Sequence, residues 1–252
     1  GLYNGEKNAG LVAAGILNPA KKLGDESDAF LLDIKVPYAL GIMANRELDS
    51  FTPGINDLLY GNSEHNLISV EEKMAKGKVA IEALKNYKEA KKANDESLMK
   101  SSLSNLESNL NFLGYGYLKD AKDAVPPVAL TFYSFHIMVA LGTYFIALFA
   151  ITLYLNLSKK YKFENIRAFL WVCLFTIPLG YIAAEAGWIV TEVGRQPWVI
   201  QDLMTVGVGA TNLSDSNVKI SFILFAVLFT VLLIAEIKIM LKQIKIGFND
   251  HA

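Results

Sequence analysis

With 252 residues, 52% of them hydrophobic, the chain is long enough for one large domain or two modest ones. Its formal net charge of −1 gives no sign of a nucleic-acid partner. A single cysteine, Cys173 in an apolar run, excludes a disulfide framework and a thiolate metal site, and three histidines (His65, His136 and His251) argue against zinc chemistry of the His-rich kind.

Charge is unevenly spread. Residues 1–125 carry 15 Lys and Arg against 18 Asp and Glu, net −3, whereas residues 126–252 carry 9 against 7, net +2, among long apolar runs. This pattern predicts a polar region joined to a membrane region. Gly1 is not an initiator methionine and no signal peptide precedes it, so a segment of a longer protein is expected.

In chain order, residues 1–32 read as mostly loop, and Pro37 is expected to open a short helix in its favoured first-turn position. Phe51-Thr-Pro-Gly54 is a turn signal. Ser69 and Glu72 form an S-x-x-E capping box ahead of a charged helix through about Ala93. Val79, Ile81, Leu84 and Tyr87 supply its predicted apolar stripe, and Glu82, Lys85 and Glu89 decorate solvated faces. A second helix is predicted from Ser97 to Leu113, and the two form a hairpin with no catalytic constellation on it. Gly114-Tyr-Gly-Tyr117 turns the chain, and Val125-Pro-Pro127 marks the way into the membrane.

Three runs, about 128–156, 168–193 and 218–241, meet the roughly 20 residues needed to span a bilayer core of about 30 Å. The first linker, Ser158 to Arg167, and the tail with Lys238, Lys242 and Lys245 are basic, so the positive-inside rule assigns both to the cytoplasm. Residues 1–127 and the 195–217 loop then lie on the opposite side. The expected fold class is an all-α membrane protein, three transmembrane helices preceded by a mostly helical extracytoplasmic loop domain. Pro178 and Gly180 interrupt the second span and make a kink plausible there.

Two carboxylates, Glu185 and Glu192, end that span, and intramembrane carboxylates are rare and usually functional. Seven residues are about two helical turns, which puts both on one face. Gly194-Arg195-Gln196-Pro197-Trp198 follows as a helix stop with a cation, an amide and an interfacial aromatic. In the first span Met138 lies about ten residues, or about 15 Å, from the outer end. Met138 and Glu192 are thereby expected at the same leaflet. On residue type alone, Met138 is apolar core or a thioether ligand for haem iron. Glu192 is an interfacial partner of Arg195 or a hard anionic ligand.

GWIVTEVGRQPW (residues 187–198) closely resembles the signature near the C-terminal end of subunit I of cytochrome bd-type quinol oxidases. Phe132 to Gly142 resembles the same subunit's FxxFRIMVxxG segment, and Val36 to Ala44 resembles a piece of its quinol loop. The three lie in the family's order, and the resemblance runs from about Asp33 to about Lys242. It implies that Met138 is an axial ligand of low-spin haem b and Glu192 of high-spin haem b. It also implies that the whole enzyme oxidises ubiquinol or menaquinol, reduces oxygen to water at haem d, and generates a proton-motive force. The implied partners are the N-terminal half of the same subunit with the opposing histidines, a second oxidase subunit, the membrane quinol, oxygen and the lipid bilayer of a bacterial or archaeal cytoplasmic membrane.

Other residues of the spans carry two readings each. Arg195 suits haem propionates. Trp188, one turn before Glu192, packs between porphyrins or serves helix packing. Glu185 relays a proton or is a structural carboxylate. His136 stands where the family usually has arginine; it hydrogen-bonds near the haem or faces the quinol loop as a satisfied histidine. Two residues apart, His136 and Met138 cannot ligate one iron. Glu236 is an interfacial charge or a proton entry. Two rival functions are a non-catalytic haem-binding electron carrier and a haem-free proton-coupled transporter.

Overall fold

A computed structural model describes residues 2–47, 49–158, 166–211 and 213–246. The basic linker, over 159–165, and His251 lie outside these. Two compact units are distinguished, residues 1–209 and 210–252. In the first, chain order is β1 (Glu6–Lys7), β2 (Leu11–Leu17), β3 (Phe30–Val36), α1 (Ala39–Asn45), β4 (Phe51–Thr52), α2 (Ile55–Tyr60), α3 (Val70–Ala93) and α4 (Glu96–Asn109). A 3-10 stretch (Leu110–Tyr117) leads on to α5 (Val128–Leu157), α6 (Arg167–Val193), β5 (Trp198–Ile200), β6 (Met204–Thr205) and α7 (Val206–Gly209). The second unit is α8 (Asp215–Ile246). Helices α5, α6 and α8 are each long and apolar enough to cross a membrane. The chain is mostly helical with three candidate spans, in line with the fold class the sequence implies.

The N-terminal stretch departs from the loop expected there. β2 and β3 form an antiparallel hairpin, Leu11 opposite Val36 and Leu17 opposite Phe30, with register shifts between Val12 and Ala14 and between Ile16 and Leu17. Its side chains remain largely exposed, Leu32 at 66%, so burial of one strand face does not announce it in the sequence. Pro37 does not open α1 either. The helix starts at Ala39, behind Tyr38 in the left-handed region (φ 62°).

Helix α3 begins where its cap predicts: Ser69 Oγ accepts the Glu72 N–H at 3.2 Å, and Asn94 closes the helix in the left-handed region, φ 54°. Its buried face differs from the predicted stripe. Val79 is half exposed, whereas Met74, Gly77, Ala80, Ala83 and Ala90 are buried. Small residues win because the 3-10 stretch lies against the helix backbone. A Cβ on Gly77 would stand 2.3 Å from Phe112 O and 2.4 Å from Gly116 N, and one on Gly116 would stand 2.5 Å from Gly77 C. Helix α4, ending at Asn109 rather than Leu113, packs back on α3 as the expected hairpin. The buried apolar cluster joins Leu59, Val70, Met74, Tyr115, Leu118 and Trp198.

Asp57 fastens the N-terminal segment. Its Oδ2 accepts the N–H of Gly54 at 3.0 Å and that of Gly5, and its Oδ1 accepts Asn62 Nδ2 at 2.8 Å. Burial by itself raises this carboxyl, but the hydrogen bonds from Asn62, Gly54 and Gly5 outweigh it and hold the group below its ordinary range. Such a group contributes stability that is present above the unfolded carboxylate value, about 3.9, and is lost as pH falls through the lower folded value.

Two outcomes are expected. Gly77→Ala forces backbone apart, costs about 1–3 kcal/mol, and speeds amide exchange across α3 and residues 110–117 by about 10-fold or more, read by mass spectrometry. Protection of the Gly5 and Gly54 amides falls below about pH 4, and Asp57→Asn lowers it at neutral pH and removes that acid dependence.

Candidate functional site

Helix α6 has two chemically different faces. Ala183, Ala186, Gly187, Val190 and Gly194 recur at three- and four-residue spacing on one side, and Glu185, Trp188, Glu192 and Arg195 on the other. The small side receives α5, as close backbone approach in apolar helix pairs requires. Met138 Sδ lies 3.2 Å from where a Cβ on Gly187 would stand, and Thr131 Cγ2 lies 3.2 Å from the equivalent point on Gly194. Farther along, Tyr144 and Thr176 hydroxyls meet at 2.6 Å. Thr176 gives its hydrogen to Val172 O at 2.7 Å, so Tyr144 is the donor between them. The helix runs through Pro178 without a break.

The polar side is open. Trp188 is 60% exposed. Arg195 Nη2 approaches Glu192 Oε1 at only 3.6 Å, both side chains about half exposed, and Gln196 Nε2 donates to Glu192 O at 3.2 Å. Exposed Glu185 borders a groove with buried Ser134 and with Tyr181. Met138 and Glu192 do lie toward the same end of the α5–α6 pair, but they do not converge. Five residues separate Gly187, which meets Met138, from Glu192; at about 100° per residue that is roughly 140° around α6. One ion cannot be held by both. Among the described residues no three His, Cys, Asp or Glu side chains gather as a metal-binding group. One turn from Met138, a Cβ on Gly142 would meet nothing within 4 Å.

His136 points about 200° away from Met138 around α5. Its Nε2 lies 2.8 Å from Val12 O in β2 and its Nδ1 2.7 Å from Phe132 O. Of the two readings the sequence leaves open, the geometry is that of a histidine facing the loop domain.

A cavity of about 590 Å³ opens where the loop domain meets the α5–α6 ends. Val125, Thr131, Phe132, Phe135 and Val190 line one part, and Lys73, Tyr115, Gln201 and Asp202 form a polar corner. Tyr115 donates its hydroxyl to Asp202 Oδ1 at 2.7 Å, and Gln201 Nε2 donates to the same oxygen at 3.0 Å. Burial, then the Asp202 hydrogen bond and charge, push the Tyr115 phenol well above its ordinary range. Lys73 Nζ sits 5.2 Å from the Tyr115 ring centroid. Trp198, expected as an interfacial anchor, is instead buried, 4.8 Å from Tyr115 between ring centroids. Sequence reading misses this corner. Its residues come from 73, 115 and 198–202, and nothing in their local spacing links them.

The sequence model of the family described as cytochrome bd terminal oxidase subunit I matches residues 1–248. The chain is 31% identical over 239 residues to the cytochrome bd-II ubiquinol oxidase subunit 1 of Escherichia coli (strain K12), covering 88% of this chain and 43% of that protein. It is 36% identical over 126 residues to the cytochrome bd ubiquinol oxidase subunit 1 of Bacillus subtilis (strain 168), covering 50% of this chain and 26% of that protein. In fold it is similar to bd oxidase from Geobacillus thermodenitrificans, with a TM-score of 0.55 over 98% of this chain and 40% of that one at 21% identity. The chain thus spans less than half the length of these relatives. With nearly its whole length matched and its three apolar helices in place, the chain belongs to the cytochrome bd terminal oxidase subunit I family.

Proposed function

We propose that this chain is the part of a quinol-oxidising terminal oxidase subunit that would hold two different b haems, Met138 ligating a low-spin one and Glu192 a high-spin one. The carrying observation is that the two lie on different sides of α6: Met138, from α5, packs at Gly187, and Glu192 projects from the exposed polar side, roughly 140° around the helix. Two ligands so separated suit two irons and not one. The donor set also suits haem: a thioether is an established axial donor to low-spin haem iron, and a carboxylate is a hard anionic donor suited to ferric iron. When bound, haem supplies reversible one-electron exchange at its iron.

The chain's own residues do the rest. Arg195 offers a planar fork to a propionate, and its loose 3.6 Å pairing leaves the Glu192 carboxylate free to turn. Trp188 presents a ring on the same side, and Glu185, at the edge of the Ser134 groove, holds a proton for relay. The cavity at Tyr115 and Asp202 suits a quinol head group: apolar walls take the ring, and the Asp202 carboxylate accepts a hydroxyl hydrogen. The basic residues Lys238, Lys242 and Lys245 near the end of α8 support a cytoplasmic C-terminus and an extracytoplasmic loop domain. Oxygen reduction to water at haem d and the resulting proton-motive force belong to the whole complex, with the rest of this subunit and a second one.

Reduced-minus-oxidised spectra of the intact complex test the ligands. Met138→Leu should abolish the low-spin b band and Glu192→Ala the high-spin b band, each leaving the other; an unchanged spectrum returns that residue to packing or to its Arg195 ion pair. Absence of any haem signal in the native complex would favour a proton-coupled transporter. For the cavity, Asp202→Asn should raise the quinol KM about 10-fold, the loss of a charge-assisted hydrogen bond, with both haem bands retained.

A further inference from the structure

We infer that His136 and Tyr133 form a clasp that docks the β2–β3 hairpin on α5, and that through Phe132 this clasp sets one wall of the cavity at Tyr115. They are positioning residues. The hairpin has little burial to hold it, since Ile16, Leu31, Leu32 and Ile34 are all exposed. Its attachment to α5 is made by backbone groups. His136 Nε2 lies 2.8 Å from Val12 O, and the Leu17 N–H donates to the Tyr133 hydroxyl at 3.0 Å. Both attachment points fall at breaks in the strand ladder, between Val12 and Ala14 and between Ile16 and Leu17. Bulges turn backbone groups away from the partner strand. Here they coincide with the two groups that α5 takes up.

The aromatic contacts extend the clasp. Phe30, in β3, meets Phe132 at 5.5 Å between centroids, and the His136 ring lies on Phe132 at 4.0 Å. Phe132 also lines the cavity. The same ring is therefore held by the hairpin on one side and by His136 on another while forming part of the cavity wall. Shifting the hairpin moves that wall. Helix α6 takes no part, because Met138 and Thr131 mark its side of α5 and His136 points away from it. The docking stands apart from the quinol reading, and only its kinetic consequence rests on that reading.

The test is amide exchange in the intact complex, read by mass spectrometry over residues 11–17 and 30–36 with α3 as internal reference. His136→Phe keeps a ring on Phe132 and loses both polar contacts. It should speed hairpin exchange about 10-fold, in the range of one or two lost hydrogen bonds, with α3 unchanged. His136→Gln, which keeps an N–H at about the reach of Nε2, should return exchange to within about 3-fold of the native value. The quinol KM should rise about 5-fold in the Phe variant while kcat falls less. Unchanged exchange in His136→Phe overturns the clasp, and a Gln variant as fast as the Phe variant overturns the hydrogen bond as its basis. Faster exchange with an unchanged KM overturns the link to the cavity, whereas Asp202→Asn reports on the cavity itself. If α3 also exchanges faster, Tyr133→Phe decides instead: it removes only the Leu17 bond, should speed exchange of residue 17 about 3-fold or more, and overturns the clasp if it does not.

Discussion

The contact on which the rest of the membrane part depends is the seating of α5 on glycine. Gly187 and Gly194 open two gaps on the small face of α6, and Met138 and Thr131 fill them so closely that an added Cβ would stand 3.2 Å from each. In an apolar solvent, helix association draws on packing and interhelical hydrogen bonds and not on the hydrophobic effect, so such gaps decide which face turns inward. Once α6 has turned its glycines to α5, Glu185, Trp188, Glu192 and Arg195 must face away. A β-branched residue at 187 would collide with the Met138 sulfur and rotate or separate the pair. The carboxylate face thus has its direction fixed by residues that carry no chemistry.

The loop domain uses the same device in water. Gly77 and Gly116 bring the 3-10 stretch onto the α3 backbone, and this sets Tyr115 where it reaches Asp202 and Trp198. Gly114 N–H donates to Asp202 O at 2.8 Å, so main chain and side chain both fasten that stretch to the segment following α6. Asp57 does comparable work at the N-terminal edge by accepting hydrogen bonds from three separate segments. Because the loop is tied both to the α6 end and, through the hairpin, to α5, the cavity between them is walled by elements that constrain one another.

The bounds of α3 and the three apolar spans are the most legible part of the sequence, for local reasons. Ser69 and Asn94 bound α3 by capping chemistry that neighbours supply, and the three apolar helices are specified by length and composition alone. The two faces of α6 could also be read from three- and four-residue spacing. The α3 stripe is not legible because size and hydropathy point to the large apolar residues, whereas a backbone approach of this kind buries Gly and Ala. The β2–β3 hairpin escaped notice because its strands show no clean alternation and its anchor lies far along the chain: Val12 and His136 are 124 residues apart. Trp198 looked interfacial beside a helix stop, but Tyr115 buries it. The separation of Met138 from Glu192 depends on the rotation of one helix against the other, which no local pattern encodes.

The carboxylates of α6 stand on its open side. The apolar core of this helix has none of its length buried in the described structure, and Glu192 has only a loose arginine. Glu185 has no hydrogen-bond or ion-pair partner among the described residues. A lipid interior does not hold two such carboxylates without compensation of several kcal/mol. The polar face of α6 is therefore the costly one to set against lipid tails. The surroundings of the two carboxylates differ. Glu192 stands beside the Arg195 guanidinium and the Trp188 ring, whereas Glu185 borders an otherwise apolar groove with Ser134 and Tyr181. Two carboxylates seven residues apart on one face thus stand in unlike surroundings, which the rotation of α6 against α5 decides.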